Sequence, residues 1–512
     1  MKTIQGSLLG DKRLEKVALS LVSSQMKTES VVLRQLGGSH SGAIQYGRFL
    51  GNERFSCSSL GTYLLDNQHL SVSGLHVLSI QDSTQVDMSH RGNSDLGLGS
   101  IGNGLGYGYY LHPHLLLDAE DGRMLGLGSL SHWVRADKRA EYAQEKLRLS
   151  GLSPAERKAA SKAKESARRK KNYEEGFETK EGYRWLSSAR ESVGRLGEAA
   201  QVTVIADCEA DTFEYIVGVG HPDFRIATSP PCEVLVRSDN NRLLYISQKV
   251  YDESKQKMVK KKFTLYEYLK QSIVRQSVRV EIGDSPQRSK RTATFELKIE
   301  RVKICRPKSI PERRAKLEGK PLPKYMEVTA IEFREVSEVP QGEKPICWVL
   351  LTTHLITEEE SALKVVKWYQ MRWRIELYFK TLKTKGFCIE NILLETKERI
   401  LKLAFCTLMA ATKIIQLLQA RDNPIIEIET AFSKDEIECL HKILPTLEGK
   451  TDKLKNPFDP QSLAYATWII ARLGGWSGYS SQRKSGIYTL KVGLIKFQAF
   501  FDITQSLILS QN

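Results

Sequence analysis

Two short apolar runs predict buried strands, and each run ends close to an aspartate. Residues 75–80 precede Asp82, and residues 202–205 precede Asp207. Apolar runs of this length are typical of strands that are covered on both faces. Ligands gather at the carboxyl ends of strands in an open α/β sheet, so we expect the two carboxylates to converge if their strands are neighbours. Taken singly, either aspartate is equally explained as a turn former or as the cap of a following helix.

A strand-rich region is predicted at residues 224–354, with helical regions before and after it. Apolar positions alternate with polar ones over residues 293–300 and again over 328–333, which is the period of a half-buried strand. Asp11 is the expected N-cap of a helix running to about Ser23. From residue 358 onward the chain is expected to be mainly helical. The fold class that this order predicts is α/β.

The glycine-rich stretch at residues 97–108 contains a G-x-G-x-x-G match, the spacing of a dinucleotide-binding loop. Such a loop must open a helix, so that the helix amides meet the phosphates. Residues 109–118 instead predict a strand, and residues 124–130 predict another. We therefore expect a loop and a hairpin here, and no nucleotide site.

The most informative stretch runs from Tyr369 to Lys383, where one acid lies among bases and aromatic residues. Tyr369, Arg372, Glu376, Lys380 and Lys383 are spaced by three, four, four and three residues, which places them on one face of a single predicted helix. A carboxylate on such a face suits a metal, and the bases suit phosphates. The alternative is a solvated helix stabilised by ion pairs between residues three or four apart.

Three carboxylates in a basic protein form a candidate metal site: Asp82, Asp207 and Glu376. Oxygen-rich sites suit Mg²⁺ or Mn²⁺. Two such ions, about 3.5–4 Å apart, stabilise both the attacking and the leaving oxygen of a phosphoryl transfer.

Composition favours an anionic partner. The 512-residue chain carries a net charge of +16. Its 41% hydrophobic content argues against a disordered chain, and its 27% charged content argues against a membrane protein. Nucleic acid is the first partner to expect from this charge. The eight cysteines include no C-x-x-C pair, and no signal-peptide pattern opens the chain, so a reducing cytoplasm is the expected location. The apolar run at 403–418 contains Lys413, is too short to span a bilayer and predicts a buried helix.

These motifs together resemble the DDE transposases of bacterial insertion sequences, in the subgroup that includes the Tn-five and Tn-ten transposases. Tyr369, Arg372, Glu376 and Lys383 are separated by two, three and six residues, as in that subgroup's signature. Residues 80–84 resemble the family's first-aspartate motif, although a serine and a threonine follow Asp82 where two threonines are more usual. Residues 206–211 resemble the second-aspartate motif.

The resemblance implies an RNase H-like catalytic core, interrupted by a β-rich insertion and flanked by helical domains. The implied order is a helical domain for recognition of DNA ends (1–70), the first part of the core (71–223, with a charged helical insertion at about 136–182), the β-rich insertion (224–354), the completion of the core (355–400) and a helical dimerisation domain (401–512).

The resemblance also implies an activity: metal-dependent cleavage at the ends of a mobile element and strand transfer into target DNA. Asp82, Asp207 and Glu376 would be the catalytic metal ligands, holding two Mg²⁺ or Mn²⁺ ions. The residues that would contact DNA are Tyr369, Arg372, Lys380, Lys383, Trp348, Arg237, Arg13 and Arg48. The protein would act as a homodimer on double-stranded DNA, near the nucleoid and without a membrane.

Several alternatives remain open. By position alone, Trp348 is a core residue and Arg237 a solvated strand arginine. At the level of function, the alternatives are a non-catalytic DNA-binding regulator derived from a transposase, and a nuclease with the same core that lacks strand transfer.

Overall fold

The structure is a computed structural model. It describes residues 8–68, 70–91, 95–226, 229–252, 257–284, 288–383, 386–421, 423–479 and 484–510. The chain divides into two compact units. The first comprises the described residues of 1–72, 83–150 and 374–512, and the second comprises those of 73–82 and 151–373.

Helices and strands are labelled in chain order. The helices are α1 (Lys12–Thr28), α2 (Leu33–Leu36), α3 (His40–Leu50), α4 (Cys57–Asp66), α5 (Arg139–Ser150), α6 (Pro154–Glu174), α7 (Tyr183–Gly194), α8 (Phe213–Gly220), α9 (Leu265–Gln271), α10 (Glu359–Met371), α11 (Arg374–Leu382), α12 (Lys397–Ala420), α13 (Lys434–Ile443), α14 (Leu463–Leu473) and α15 (Ile487–Ser510). The strands are β1 (His76–Gln81), β2 (Thr84–Asp87), β3 (Gly99–Ile101), β4 (Gly106–Asp118), β5 (Met124–Trp133), β6 (Gln201–Ala206), β7 (Cys232–Arg237), β8 (Leu243–Asp252), β9 (Lys257–Thr264), β10 (Gln276–Ile282), β11 (Arg291–Cys305), β12 (Lys316–Leu317), β13 (Lys320–Pro321), β14 (Tyr325–Glu335) and β15 (Cys347–Thr352).

The second unit is built on a mixed sheet. Strands β1, β6 and β7 are parallel neighbours, and β15 joins β7 in the antiparallel direction. Strands β14 and β11 continue the sheet, and β10 and β8 both pair with β11. Every residue from Val77 to Gln81 is buried, and so is every residue from Val202 to Ala206. Because successive side chains point to opposite faces, this burial means that both faces of β1 and β6 are covered, as expected for parallel strands.

The first unit combines helices with an antiparallel sheet. Strand β4 pairs with β2, β3 and β5. The long helix α12 packs against α1, α4, β5 and α14. It is apolar and long enough to cross a membrane, but 89% of its most apolar window is buried by the rest of the protein. Lys413 on this helix lies 3.3 Å from Glu436, so its charge is paired. The prediction of a buried helix at 403–418 is confirmed, whereas the prediction that the segment is too short to span a bilayer is wrong, because the helix has 24 residues.

Most of the predicted elements are confirmed. Asp11 caps α1 by accepting a hydrogen bond from the amide of Arg13, although the helix continues to Thr28 instead of ending near Ser23. Strands β4 and β5 pair in the antiparallel direction, so the predicted hairpin of residues 109–118 and 124–130 is confirmed. The glycine-rich stretch is more than the expected loop, because it forms β3, a turn and the start of β4. The strand-rich region holds β7 to β15, and burial alternates along β11 as expected. The α/β class is confirmed, while the predicted domain boundaries stay predictions.

Candidate active site

Asp82 and Asp207 lie at the same edge of the second unit's sheet. Strands β1 and β6 are parallel, and their register pairs Ile80 with Ile205. Each aspartate follows its paired isoleucine by two residues, so the two acids leave the sheet side by side. The two strands are neighbours, which is the condition under which the carboxylates were expected to converge. The reason is physical: two buried, parallel strands of equal length bring their carboxyl ends to one place.

One arginine bridges the two carboxylates. Arg372 follows α10, and its Nη1 lies 2.9 Å from Oδ2 of Asp82. Its Nη2 lies 3.5 Å from Oδ2 of Asp207. The Arg372 side chain is only 6% exposed, whereas the two aspartates are 21% and 22% exposed. A buried guanidinium therefore lies between two partly accessible carboxylates.

Asp207 has further partners from neighbouring elements. Arg237, the last residue of β7, places Nη2 2.8 Å from Oδ1 of Asp207. The Tyr369 hydroxyl on α10 donates to the same oxygen at 3.3 Å. The Cys208 amide donates to Oδ1 at 2.6 Å, so Asp207 also caps the short 3₁₀ turn at Cys208–Ala210. The alternative interpretation of Asp207 as a cap is thus correct as well, and it coexists with the cluster.

These contacts set the charge state of the site. Burial raises the pKa of the Asp207 carboxyl, but the Cys208 amide and the charges of Arg372 and Arg237 outweigh burial, and the net pKa lies below the ordinary value. Burial also raises the pKa of Tyr369, with the negative charge of Asp207 acting in the same direction. Asp207 is therefore ionised at neutral pH while Tyr369 keeps its proton, which is the state in which the tyrosine donates to the carboxylate.

Trp348 lies beside this cluster. It is half-buried on β15, and its ring meets the Tyr369 ring edge-on at a centroid distance of 5.3 Å. Phe333 on β14 contacts its other side, with ring centroids 6.5 Å apart. The Trp348 side chain is therefore neither fully buried in the core nor fully exposed to solvent. It borders the residues around Asp207, and its role in stacking on a base stays a prediction.

The signature stretch does not form the single helix that its spacing predicts. Helix α10 ends at Met371, and α11 begins at Arg374. At the break, the amide of Arg372 donates to the carbonyl of Tyr369, and that of Trp373 donates to Gln370. These bonds reach back three residues instead of four, so the helix tightens and its regular face ends. The expectation of one continuous helix through all five signature positions is wrong.

The remaining signature residues belong to the first unit. Glu376 is half-buried in the first turn of α11. Lys380 is exposed in the last turn of that helix, and Lys383, just past its end, lies 3.6 Å from Glu390. The convergence of Glu376 with the two aspartates stays a prediction.

Two predicted DNA contacts lie on the N-terminal helices. Arg13 on α1 and Arg48 on α3 are both exposed. A surface groove between these helices has a volume of about 480 Å³ and is lined by Leu14, Val17, Ser41, Ile44, Gln45, Arg48, Phe49 and Asn52. Arg48 thus borders a groove with an apolar floor, while Arg13 is not among the lining residues. Their contact with DNA stays a prediction.

Asp211 and Arg242 form a buried network that the sequence analysis did not single out. The fully buried Asp211 carboxylate pairs with Arg242 and accepts hydrogen bonds from Ser238 Oγ at 3.2 Å and from the Asp239 amide at 3.1 Å. Asn240 donates to the same carboxylate at 3.0 Å. These residues form the turn that leaves β7 directly after Arg237, so the network fixes the backbone beside the Asp207 partner. The polar run at 238–242 indicates a turn, but it does not indicate that the turn closes over a buried acid.

A histidine pair lies at the opposite end of strands β1 and β6. His76 Nε2 and His354 Nε2 each lie 2.8 Å from the Thr203 hydroxyl oxygen. Trp368 on α10 contacts both rings, at centroid distances of 4.8 and 5.4 Å. Burial lowers the pKa of His354 to about 4, with His76 acting in the same direction. His354 is therefore neutral at pH 7. The Thr203 hydroxyl is the common hydrogen-bond partner of both rings.

The donors at Asp82 and Asp207 fit a hard divalent cation. Both carboxylates contact one positive group, the Arg372 guanidinium. Carboxylate oxygens are the ligands that Mg²⁺ and Mn²⁺ prefer. Within the described residues of the second unit, no group of three or more acidic, histidine or cysteine side chains is arranged around one point. This unit alone therefore offers two carboxylates.

Comparison with known families adds an independent finding. The family model described as "Transposase DDE domain" matches residues 241–412, about a third of the chain. The match includes Trp348, Tyr369, Arg372 and Glu376, and it begins after both aspartates. The mixed α/β architecture is compatible with an RNase H-like DDE domain. The match supports a similarity to DDE transposases over this part of the chain.

Proposed function

We propose that the protein is a metal-dependent DNA transposase that binds the ends of a mobile element, cleaves there and joins the freed ends to target DNA. The observation that carries this proposal is the pair of in-register aspartates that one arginine bridges. Two strand-end carboxylates, a bridging arginine and a second arginine are the groups that phosphoryl transfer needs: ligands for a cation, and positive charge for a phosphate. The finer assignment, to the subgroup of the Tn-five and Tn-ten transposases, rests on the spacing of Tyr369, Arg372, Glu376 and Lys383.

In this proposal Asp82, Asp207 and Glu376 hold two Mg²⁺ or Mn²⁺ ions. When bound, the ions stabilise the charge that develops on the attacking and leaving oxygens. Arg372 and Arg237 hold the scissile strand by its phosphates, since guanidinium groups match phosphate oxygens in a two-point contact. Tyr369 orients Asp207 through its hydroxyl. Water attacks the phosphorus and the bond to the 3′ oxygen breaks, which leaves a 5′-phosphate on one side and a 3′-hydroxyl on the other. That hydroxyl then attacks a target phosphorus, forms a new P–O bond and displaces the target's own 3′ oxygen, which leaves as a hydroxyl.

The proposed partner is double-stranded DNA, bound by two copies of the chain. Trp348 stacks on a base near the element's end, and Lys380, Lys383, Arg13 and Arg48 contact the end's backbone. The net charge of +16 supports a polyanionic partner, because each neutralised phosphate releases a counterion.

The second candidate is a non-catalytic DNA-binding regulator. The presence of all three acids, Asp82, Asp207 and Glu376, speaks against it. The third, a nuclease without strand transfer, differs in the product that it leaves.

The test is incubation of the full chain with its own flanking DNA ends, a target plasmid and Mg²⁺. Excision followed by joining supports the transposase, cleavage alone supports the nuclease, and binding without cleavage supports the regulator. Asp82→Asn, Asp207→Asn and Glu376→Gln should each abolish cleavage while end binding persists. Glu209→Gln is a matched control, because Glu209 is an exposed acid two residues from Asp207. Cleavage retained by any of the three variants removes that residue from the site.

A further inference from the structure

Helix α6 is a long helix with almost no buried surface. From residue 154 to residue 171, the described side chains are exposed except for Ala160 and Glu165, which are half-buried. A helix normally forms in a protein because one face packs against a core. The described side chains of residues 154–171 offer no such face, so the sequence itself must stabilise the helix.

Local signals account for the helix itself. Ser153 and Glu156 form a reciprocal capping box, and Pro154 occupies the first turn, where its missing amide costs nothing. Alanine, lysine, arginine and glutamate fill most of the remaining positions, and all four favour helix. Ion pairs join Arg168 to Glu165 and Lys171 to Glu175. The segment is therefore built to be helical while exposed.

The charges of α6 are strongly biased and ordered. Its 21 residues include eight basic and three acidic side chains, a net charge of +5. At about 100° per residue, the positions of Arg157, Lys164, Arg168 and Lys171 fall within about 60° of one another. We call these four residues the basic stripe. They cover about 14 residues of helix, or about 21 Å of its length.

The chemistry of the stripe selects one class of partner. A membrane-binding helix needs an apolar face to insert, and the exposed face of α6 carries alanine and charged residues. A partner protein would be expected to meet apolar anchors, which the described side chains of 154–171 do not include. A row of basic side chains along one helix matches the regular row of phosphates on a DNA strand. The whole helix is about 31 Å long, close to the roughly 34 Å of one turn of duplex DNA.

We infer that the basic stripe of α6 is a sequence-independent binding surface for the phosphate backbone of duplex DNA. It lies outside the signature and the N-terminal helices, so it goes beyond the contacts of the proposed function. Because it recognises backbone alone, it binds DNA that lacks the element's ends, which is the property required of a surface for flanking or target DNA.

The test compares the full chain with two quadruple variants. The stripe variant carries Arg157→Gln, Lys164→Gln, Arg168→Gln and Lys171→Gln, which keep helix propensity and remove four charges. The control variant carries Lys442→Gln, Lys450→Gln, Lys453→Gln and Lys455→Gln, at exposed lysines in the first unit. Binding to a duplex of about 40 base pairs without element ends, nearly four turns, is measured by fluorescence anisotropy. The salt concentration is varied from about 50 to 200 mM.

Each phosphate that a basic side chain neutralises adds about 0.9 to the slope of log affinity against log salt. If two to four basic side chains of the stripe contact phosphates in the wild-type complex, the magnitude of the slope for the stripe variant should be smaller by about 2 to 3.5. Its affinity at about 0.1 M salt should fall at least about tenfold. The control should keep the wild-type slope. The helical content measured by circular dichroism should be unchanged in both variants, which excludes loss of the helix.

Equal slopes for the stripe variant and the wild type would overturn the inference, as would an equal decrease in the control. Vesicles rich in phosphatidylserine provide a second arm, and stripe-dependent binding to them instead of to DNA would also overturn it. This binding result is independent of the cleavage assay, because the probe duplex lacks the element's ends at which the protein would cleave. A protein that binds this duplex through the stripe and fails to cleave its own ends would refute the proposed chemistry and leave this inference standing.

Discussion

Replacement of Arg372 by glutamine removes the positive charge that Asp82 and Asp207 share. The two carboxylates would then lie side by side without the group that bridges them at 2.9 and 3.5 Å. A hydrogen bond to a charged group contributes about 1.5–3 kcal/mol, and loss of one partner of a buried ion pair costs about 3–5 kcal/mol. About a fifth of each aspartate remains exposed, so water offsets part of this cost. We expect a decrease of about 2–3 kcal/mol in the free energy of unfolding.

The same geometry predicts that divalent ions rescue the variant. An ion between the carboxylates replaces the charge of the guanidinium, and in the wild type it must compete with that group. A ligand that binds only the folded state stabilises it in proportion to the logarithm of its concentration over Kd, so tenfold tighter binding adds about 1.4 kcal/mol. Mn²⁺ and Mg²⁺ should therefore raise the Tm of Arg372→Gln more than that of the wild type.

The assay is thermal unfolding with and without the ions. For a unit of this size, each kcal/mol shifts Tm by about 2–4 °C, so the metal-free variant should melt roughly 4–12 °C lower. Arg48→Gln is the control, because Arg48 is exposed and lies in the other unit. A metal-free Tm equal to that of the wild type would refute the bridging role. A lower Tm with an unchanged response to Mn²⁺ would refute binding of the ion between the two carboxylates.

Three further perturbations test other parts of the structure. Asp211→Asn leaves buried Arg242 without its counter-charge and should cost about 3–5 kcal/mol in thermal or denaturant unfolding, whereas Glu209→Gln should change little. His354 has a pKa of about 4 when folded and about 6.5 when unfolded, so stability should fall as pH drops from about 6.5 toward 4, by at most about 3 kcal/mol. His354→Gln should flatten that part of the Tm–pH profile, and an unchanged profile would contradict the assignment. Trp348→Ala should weaken binding to the element's ends by about 1–3 kcal/mol in anisotropy titrations, and Trp348→Phe should recover much of the affinity; equal affinities for all three proteins would exclude stacking.

The strand-end aspartates were predictable because their signal is local. An uninterrupted apolar run identifies a strand that is covered on both faces, and the acid marks its end. Whether two such strands are neighbours is a property of the whole fold, yet parallel strands in α/β proteins are commonly adjacent. Strands β1 and β6 satisfy that condition.

The break after Met371 could not be predicted from the same kind of pattern. Arg372 and Trp373 have ordinary helix propensities, and nothing in the sequence marks an end there. In the structure the backbone tightens at these residues while the Arg372 side chain reaches two carboxylates that are distant in sequence. Tertiary contacts of this kind override the local preference for a continuous helix. The spacing of residues along the sequence does not reveal such contacts.

The Asp211–Arg242 pair illustrates a second limit. The partners are 31 residues apart and meet only because β6 and β7 are neighbours. A run of polar residues such as 238–242 is typical of an exposed turn. That the turn closes over a buried acid depends on the sheet order, which composition and spacing do not encode.

The pairing of Ile80 with Ile205 has a consequence for how this protein tolerates changes in length. A single residue added to or deleted from the β1 segment between His76 and Asp82 would turn the acid toward the opposite side of the sheet, or shift the whole strand against its neighbour. The same change in the exposed connection before residue 75 would leave the alignment intact. Natural variants of this chain should therefore carry their insertions and deletions in connections, and keep the count within these two strands fixed.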